Sequence, residues 1–332
     1  MTRYDDPSSP GPDAPRRTII AAGLGLIAAA SVGGVLEVLL DDAPLDDETV
    51  TTEADRVPTS SSVSTPTSPS TDAAGPGSAS PSMAPSRSPT ATVDFGRIAE
   101  DYLRTRPGQA AVAGVNLATG AAVSHRDSSR FTSASIVKVS IVISLLLLDA
   151  DDELPESSLR PGIRQMITSS DNTAADVLWT RIGGDRGYNR AMDRLGLTDT
   201  IAGTGGYWGS TRTSARDQLR VLRALVREDG PLSAARRDYV LDLMRAVAPE
   251  QAWGVSAATG RDGTALKNGW LPSRADNGRW VINSIGHLRL DTGEPALLAV
   301  LCSGSPSMSA GITTVEHLAR AAGAALSGRP PT

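Results

Sequence analysis

The stretch TSASIVKVSIVISLLLL, residues 132–148, carries a single charge, Lys138. Beyond that lysine its residues are apolar on every side except Ser140 and Ser144, so the pattern predicts a helix from about Ser133 to Leu148, buried all round. With Thr132 or Ser133 as cap, Ser135 falls in the first turn, where a backbone N–H has no intrahelical partner and can point at an anion. Lys138, three residues on, shares that face one turn away, within reach of proton transfer from the hydroxyl. An amine entering an apolar core is desolvated, which lowers its pKa and lets the neutral form act as a base. Standing alone, a serine three residues before a lysine also arises by chance.

On the N-terminal side of this helix, Phe95 to Thr105 reads as a helix, and Ala110–Leu117 and Ala121–His125 read as strands joined through Gly120. On its C-terminal side come helical stretches at Ile163–Thr168, Thr173–Ile182, Gly187–Leu195 and Ala215–Val226. Strands follow at Thr264–Lys267, Trp280–Leu290 and Ala296–Ser303, and a helix at Ile312–Leu326 closes the chain. Strands at both ends with helices inserted between them predict an α+β fold: an antiparallel sheet completed from both termini, flanked by helices and an adjoining all-helical lobe. A cleft between the lobes is the natural site.

The 332 residues carry a net charge of -5, without the clustered excess of basic groups that nucleic-acid binding needs, so no nucleic-acid partner is expected. The one cysteine, Cys302, excludes an internal disulfide; His125, His287 and His317 follow no ligand spacing, and neither a metal nor another cofactor is expected. Residues 1–17 read as a cytoplasmic segment ending in Arg16-Arg17. Residues 18–40, apolar and flanked by basic then acidic residues, read as a signal peptide or signal anchor. No cysteine follows that run to carry lipid. Residues 41–92 contain no aromatic side chain and are rich in Ser, Thr and Pro, the composition of a disordered tether. Residues 93–332 form the globular domain. It is expected outside the cytoplasmic membrane, secreted or anchored through the N-terminal segment, and monomeric.

Two further groups carry chemistry. Ser170-Asp171-Asn172 reads in isolation as an N-cap cluster for the helix after it. Lys267-Asn268-Gly269, on or ending a strand, combines positive charge with a glycine that permits close backbone approach by a ligand. Of 32 basic residues only Lys138 and Lys267 are lysines, and arginine could not replace a lysine that must lose its proton.

In this chain order the three groups resemble the Ser-x-x-Lys, Ser-Asp-Asn and Lys-Thr-Gly motifs of class A β-lactamases and the related penicillin-binding D,D-peptidases. The segments running from Met166 to Leu178 and from Thr213 to Asp217 are similar to the corresponding family segments, so the likeness extends over about Val93 to Ser327. The resemblance implies a serine hydrolase acting through an acyl-enzyme on a β-lactam or a peptidoglycan stem peptide. It implies Ser135 as nucleophile, Lys138 as its base and Ser170 as proton relay. Asn172 would bind the substrate amide, with Lys267, Asn268 and Gly269 lining the substrate carboxylate. The oxyanion hole would be the backbone N–H groups of Ser135 and Trp270. Asn268 replaces the family's threonine with an amide that can still donate. The family's deacylating glutamate has no counterpart, since no glutamate occurs between Glu156 and Glu228; the loop Leu197–Thr213 offers Asp199 as a possible substitute. Slow deacylation is therefore expected.

Overall fold

Both β1 (Gln109–Asn116) and β7 (Pro295–Ser305) alternate between two cores, which shows how the domain is layered. Ala110 and Val112 of β1 join one core, while Ala111, Ala113 and Val115 join the other; in β7, Leu298 and Val300 alternate in the same way with Leu297, Ala299 and Leu301. A strand buried on both faces loses the apolar-polar alternation of a half-exposed one, so these segments read as unbroken apolar runs.

The computed structural model describes residues 94–149, 153–260 and 262–330; the segments 1–17, 18–40 and 41–92 lie outside the described residues. The elements are α1 (Phe95–Leu103), β1 (Gln109–Asn116), β2 (Ala122–His125), β3 (Arg130–Thr132), a 3₁₀ turn (Ala134–Ile136), α2 (Val137–Leu148), α3 (Arg160–Thr168), α4 (Asn172–Arg181) and α5 (Gly184–Arg194). They continue with β4 (Arg212–Ser214), α6 (Ala215–Ala224), α7 (Ala234–Arg245), β5 (Ala265–Ser273), β6 (Arg279–Arg289), β7 (Pro295–Ser305) and α8 (Met308–Leu326). Five strands form one antiparallel sheet in the order β2-β1-β7-β6-β5. Pairing of β1 with β7, from Gln109 opposite Ser303 to Asn116 opposite Ala296, completes the sheet from both ends of the domain as the sequence predicts. α1 and α8 pack on one face, and α6 with the helical lobe on the other.

α2 runs through the middle of that lobe, with ten of its twelve residues buried, including Lys138, Ser140 and Ser144. Its C-terminal carbonyls lack intrahelical donors. They are met instead by arginines from neighbouring helices: Arg236 Nη1 donates to Leu146 O at 2.6 Å, and Arg194 donates to Leu147 O. Positive charge at a helix C-terminus also suits the dipole. Among the described residues no helix is long and apolar enough to cross a membrane.

Two local expectations are corrected. Ser135 lies in a 3₁₀ turn ahead of α2, not in the first turn of one continuous helix, and neither residue before it supplies a side-chain cap. The helix α7 was not predicted, nor was the two-stranded ribbon of β3 and β4, which pairs Thr132 with Arg212.

Candidate active site

Ser135 is presented by a turn that other elements hold from three sides. Ser133 N donates to Thr211 O at 2.8 Å. From β6, Asn283 Nδ2 donates to the carbonyls of Thr132 (2.8 Å) and Ser133 (2.9 Å), while its Oδ1 accepts from Cys302 N. From β5, Gly269 presses against the turn so closely that a Cβ there would sit 2.7 Å from Ser135 N, 2.8 Å from Ile136 N and 2.9 Å from Ser133 O. The glycine therefore allows close approach by the turn that carries Ser135. Ala134, just before Ser135, has φ +47°, a left-handed conformation that costs a side-chain-bearing residue roughly 1–2 kcal/mol.

Ser170 is strained in the same sense, with φ +58°. It ends α3 in the position where glycine usually reverses the chain, and the next residue, Asp171, caps α4 by accepting from Ala174 N at 2.7 Å. The capping reading of the second motif is correct as far as Asp171 goes. Ser170 and Asn172 are left free to turn to the lysines. Lys138 Nζ donates to Ser170 O (2.6 Å) and Asn172 Oδ1 (2.8 Å) and lies 3.2 Å from Ser170 Oγ; Lys267 Nζ lies 3.0 Å from the same Oγ and donates to Asn268 O at 2.9 Å. Ser135 makes no hydrogen bond to Lys138; the amine's bonds go to the second motif.

Both lysine side chains are fully buried. Burial lowers the pKa of Lys138 to about 8, against the opposing pull of Asp171 and Asp176. Burial, and then the charge of Lys138, push Lys267 well below the ordinary lysine value. A neutral amine has two hydrogens and one lone pair. At Lys138 the hydrogens match two acceptors that cannot donate, Ser170 O and Asn172 Oδ1, and the lone pair remains for a hydroxyl proton. Occupying Asn172 Oδ1 also leaves the amide Nδ2 of this exposed side chain for a substrate carbonyl.

Asn268 departs from its expected role. It is buried, and its Nδ2 donates to the carbonyls of Gln251 (2.6 Å) and Trp253 (2.9 Å), so the amide staples the 250s segment to β5 and has no donor left for a substrate carboxylate. Asp199, the possible substitute for the deacylating glutamate, accepts from Ser214 Oγ at 2.9 Å, and Ser214 pairs in register with Arg130. Trp270 follows Gly269 on β5, an edge strand of the sheet, and packs against Trp253.

Sequence reasoning missed four residues: Asn283, Gln251, Trp208 and Asp176. Asn283 stands out as a buried amide inside an apolar strand, a signal that was available. Trp208 and Asp176 help line a cleft of about 710 Å³ together with Asn172, Trp179, Tyr207 and Leu271. Among the described residues no group of three His, Cys, Asp or Glu side chains is placed to hold a metal ion.

A model of the beta-lactamase enzyme family matches residues 149–326, more than half of the chain, a span that includes Ser170, Asn172 and Lys267 and begins after Ser135 and Lys138. The chain belongs to the beta-lactamase enzyme family. Within reach of this family member are proteins named "Putative lipoprotein LppW" from Mycobacterium tuberculosis and Mycobacterium bovis, 28% identical over 206 residues. That alignment covers 58% of this chain and 64% of theirs, so the chain spans somewhat less than two thirds of these relatives. The fold is similar to that of the TLA-1 extended-spectrum beta-lactamase (TM-score 0.59, 19% identity, covering 71% of this chain and 99% of that one). It is also similar to PBP-A (0.58, 21%, 69% and 94%) and to a beta-lactamase from Streptosporangium roseum (0.58, 17%, 70% and 98%). At such identities the likeness is one of fold.

Proposed function

We propose that this beta-lactamase-family domain is a serine hydrolase that forms an acyl-enzyme on Ser135 with β-lactams or with D-Ala-D-Ala-type cell-wall peptide amides, and releases the acyl group slowly. The observation that carries this reading is the hydroxyl of Ser170 held between two buried amines, 3.2 Å from Lys138 and 3.0 Å from Lys267. Neutral Lys138 takes the proton of Ser135 as its oxygen bonds to the substrate carbonyl carbon. Ser170 passes a proton to the leaving nitrogen, Asn172 Nδ2 holds the substrate amide, and the N–H groups of Ser135 and Trp270 receive the oxyanion. Lys267 is fully buried and reaches the site through Ser170 Oγ; a substrate carboxylate would favour its charged form and so offset the burial that lowers its pKa. When it is charged it favours the neutral form of Lys138, since like charges this close oppose one another.

A mutant of the similar PBP-A forms an acyl-enzyme with penicillin G, which is consistent with acylation here. Slow release rests on the missing glutamate and on the commitment of Asp199 to Ser214. In this reading residues 18–40 export the chain, residues 41–92 tether it, and residues 93–332 act outside the membrane as a monomer; the lipoprotein name of the mycobacterial relatives agrees with export.

The test is incubation of the full chain with a fluorescent penicillin and a chromogenic cephalosporin. A stable label that disappears in Ser135→Ala is the expected result. Rapid colour would replace slow acylation with β-lactam hydrolysis, and neither signal would leave a non-catalytic binding or sensor module.

A further inference from the structure

Trp208 covers the face of Lys138 that the other motifs leave open. Its ring centre lies 4.7 Å from Lys138 Nζ, and its indole N–H donates to Asp176 Oδ1 at 2.7 Å. Asp176 is one turn along α4 from Asn172, so the helix that places an amide on the lysine also places the carboxylate that pins the ring. The segment carrying Trp208 turns at Gly205 (φ +60°) and Gly206 (φ +81°), where a side chain would be strained, and continues as a 3₁₀ turn over Trp208–Ser210. Its far end is fixed by the bond from Ser133 N to Thr211 O. One loop thus touches both the nucleophile's turn and its base, and it meets the base with an aromatic face.

We infer that the Asp176–Trp208 pair is a latch that keeps water from the acylated serine, which makes both of them positioning residues. The inference deepens the acylation reading and rests on it. Release requires a water oxygen to bond to the ester carbonyl carbon while a base takes the water's proton, after which Ser135 Oγ leaves and regains a proton. An indole ring offers that water neither a base nor an acceptor, and it occupies space beside the lysine that the water would need. Asp176 lines the cleft beside Trp208, yet one oxygen is committed to the indole, so it acts through Trp208.

The decay of a fluorescent-penicillin label on the full chain separates these roles. Asp176→Asn keeps an oxygen that can accept from the indole, and should keep the wild-type label lifetime. Asp176→Ala and Trp208→Ala release the ring and should shorten it. Trp208→Glu supplies a carboxylate as well as space and should shorten it most, by about 10²-fold, the lower end of what a general base contributes. Trp208→Ala should also move the pH profile of acylation upward, because a better-hydrated Lys138 holds its proton more firmly. Asp176 is exposed and Trp208 is half-buried against the edge of the core; should Trp208→Ala fail to fold, the comparison of Asp176→Ala with Asp176→Asn decides alone. Unchanged lifetimes in the alanine variants would overturn the latch. So would equal lengthening in Asp176→Asn and Asp176→Ala, which would make Asp176 itself the base for hydrolysis. Absence of any label on the wild type would instead remove the acylation reading, and the latch with it.

Discussion

The corner around Ser170 and the loop around Trp208 flank the same lysine and are built in opposite ways. In the corner every polar atom near Lys138 is a specific partner at hydrogen-bond distance: a carbonyl, an amide oxygen and a hydroxyl shared with a second amine. On the loop side the contact is the face of an aromatic ring, and the loop's acid is turned away to Ser214. The first arrangement can move protons, and the second keeps them where they are. One lysine can therefore face proton-transfer partners on one side and an aromatic wall on the other.

Breaking the corner gives the largest effect. Lys138→Arg keeps the charge and removes the base, and acylation measured by penicillin labelling should fall by about 10²–10⁴-fold, the range typical for general-base catalysis. Gly269→Ala attacks the corner from the sheet. The added methyl would meet three backbone atoms at 2.7–2.9 Å and push the Ser135 turn outward, and a misplacement approaching 1 Å is enough to cost about 10²-fold in labelling rate. The pH profile sharpens the contrast without mutation. The base works as the free amine and its pKa is lowered to about 8, so acylation should be level above pH 8 and fall about tenfold per pH unit below it. A rate independent of pH from 6 to 9 would assign the proton to another group. The smallest effect isolates strain: Ser170→Gly and Ser170→Ala both lose the hydroxyl, but glycine accepts φ +58° freely, so the glycine variant should be more stable than the alanine variant by about 1 kcal/mol in urea unfolding.

What was legible in the sequence follows from how far each interaction reaches along the chain. The sheet, the buried helix and the three motif groups repeat or cluster locally, so their pattern survives in one dimension. Ser135, Lys138, Ser170, Asn172 and Lys267 were all chosen from such clusters; hydrogen bonds bring the last four together at the Ser170 corner, and Ser135 lies on the turn that leads into α2. The errors are at contacts between remote segments. The amide of Asn268 looked available because the carbonyls that take its hydrogens belong to Gln251 and Trp253, fifteen and more residues away. Trp208 belongs to a glycine-rich loop with no periodicity, and nothing local says that its ring lies over a lysine seventy residues earlier. α7 was overlooked because five of its twelve residues are charged, which hides the apolar face of Val240, Leu241, Leu243 and Met244. The β3–β4 ribbon is three residues deep, too short for alternation to register.

Confining lysine to two buried positions has a practical side. Every other cation along the 332 residues is a guanidinium, histidine aside, so among the described residues the folded surface offers amine-reactive reagents no lysine side chain. Modification of either lysine would then report that the crevice around them has opened, giving a chemical clock for breathing of the site without any engineered label.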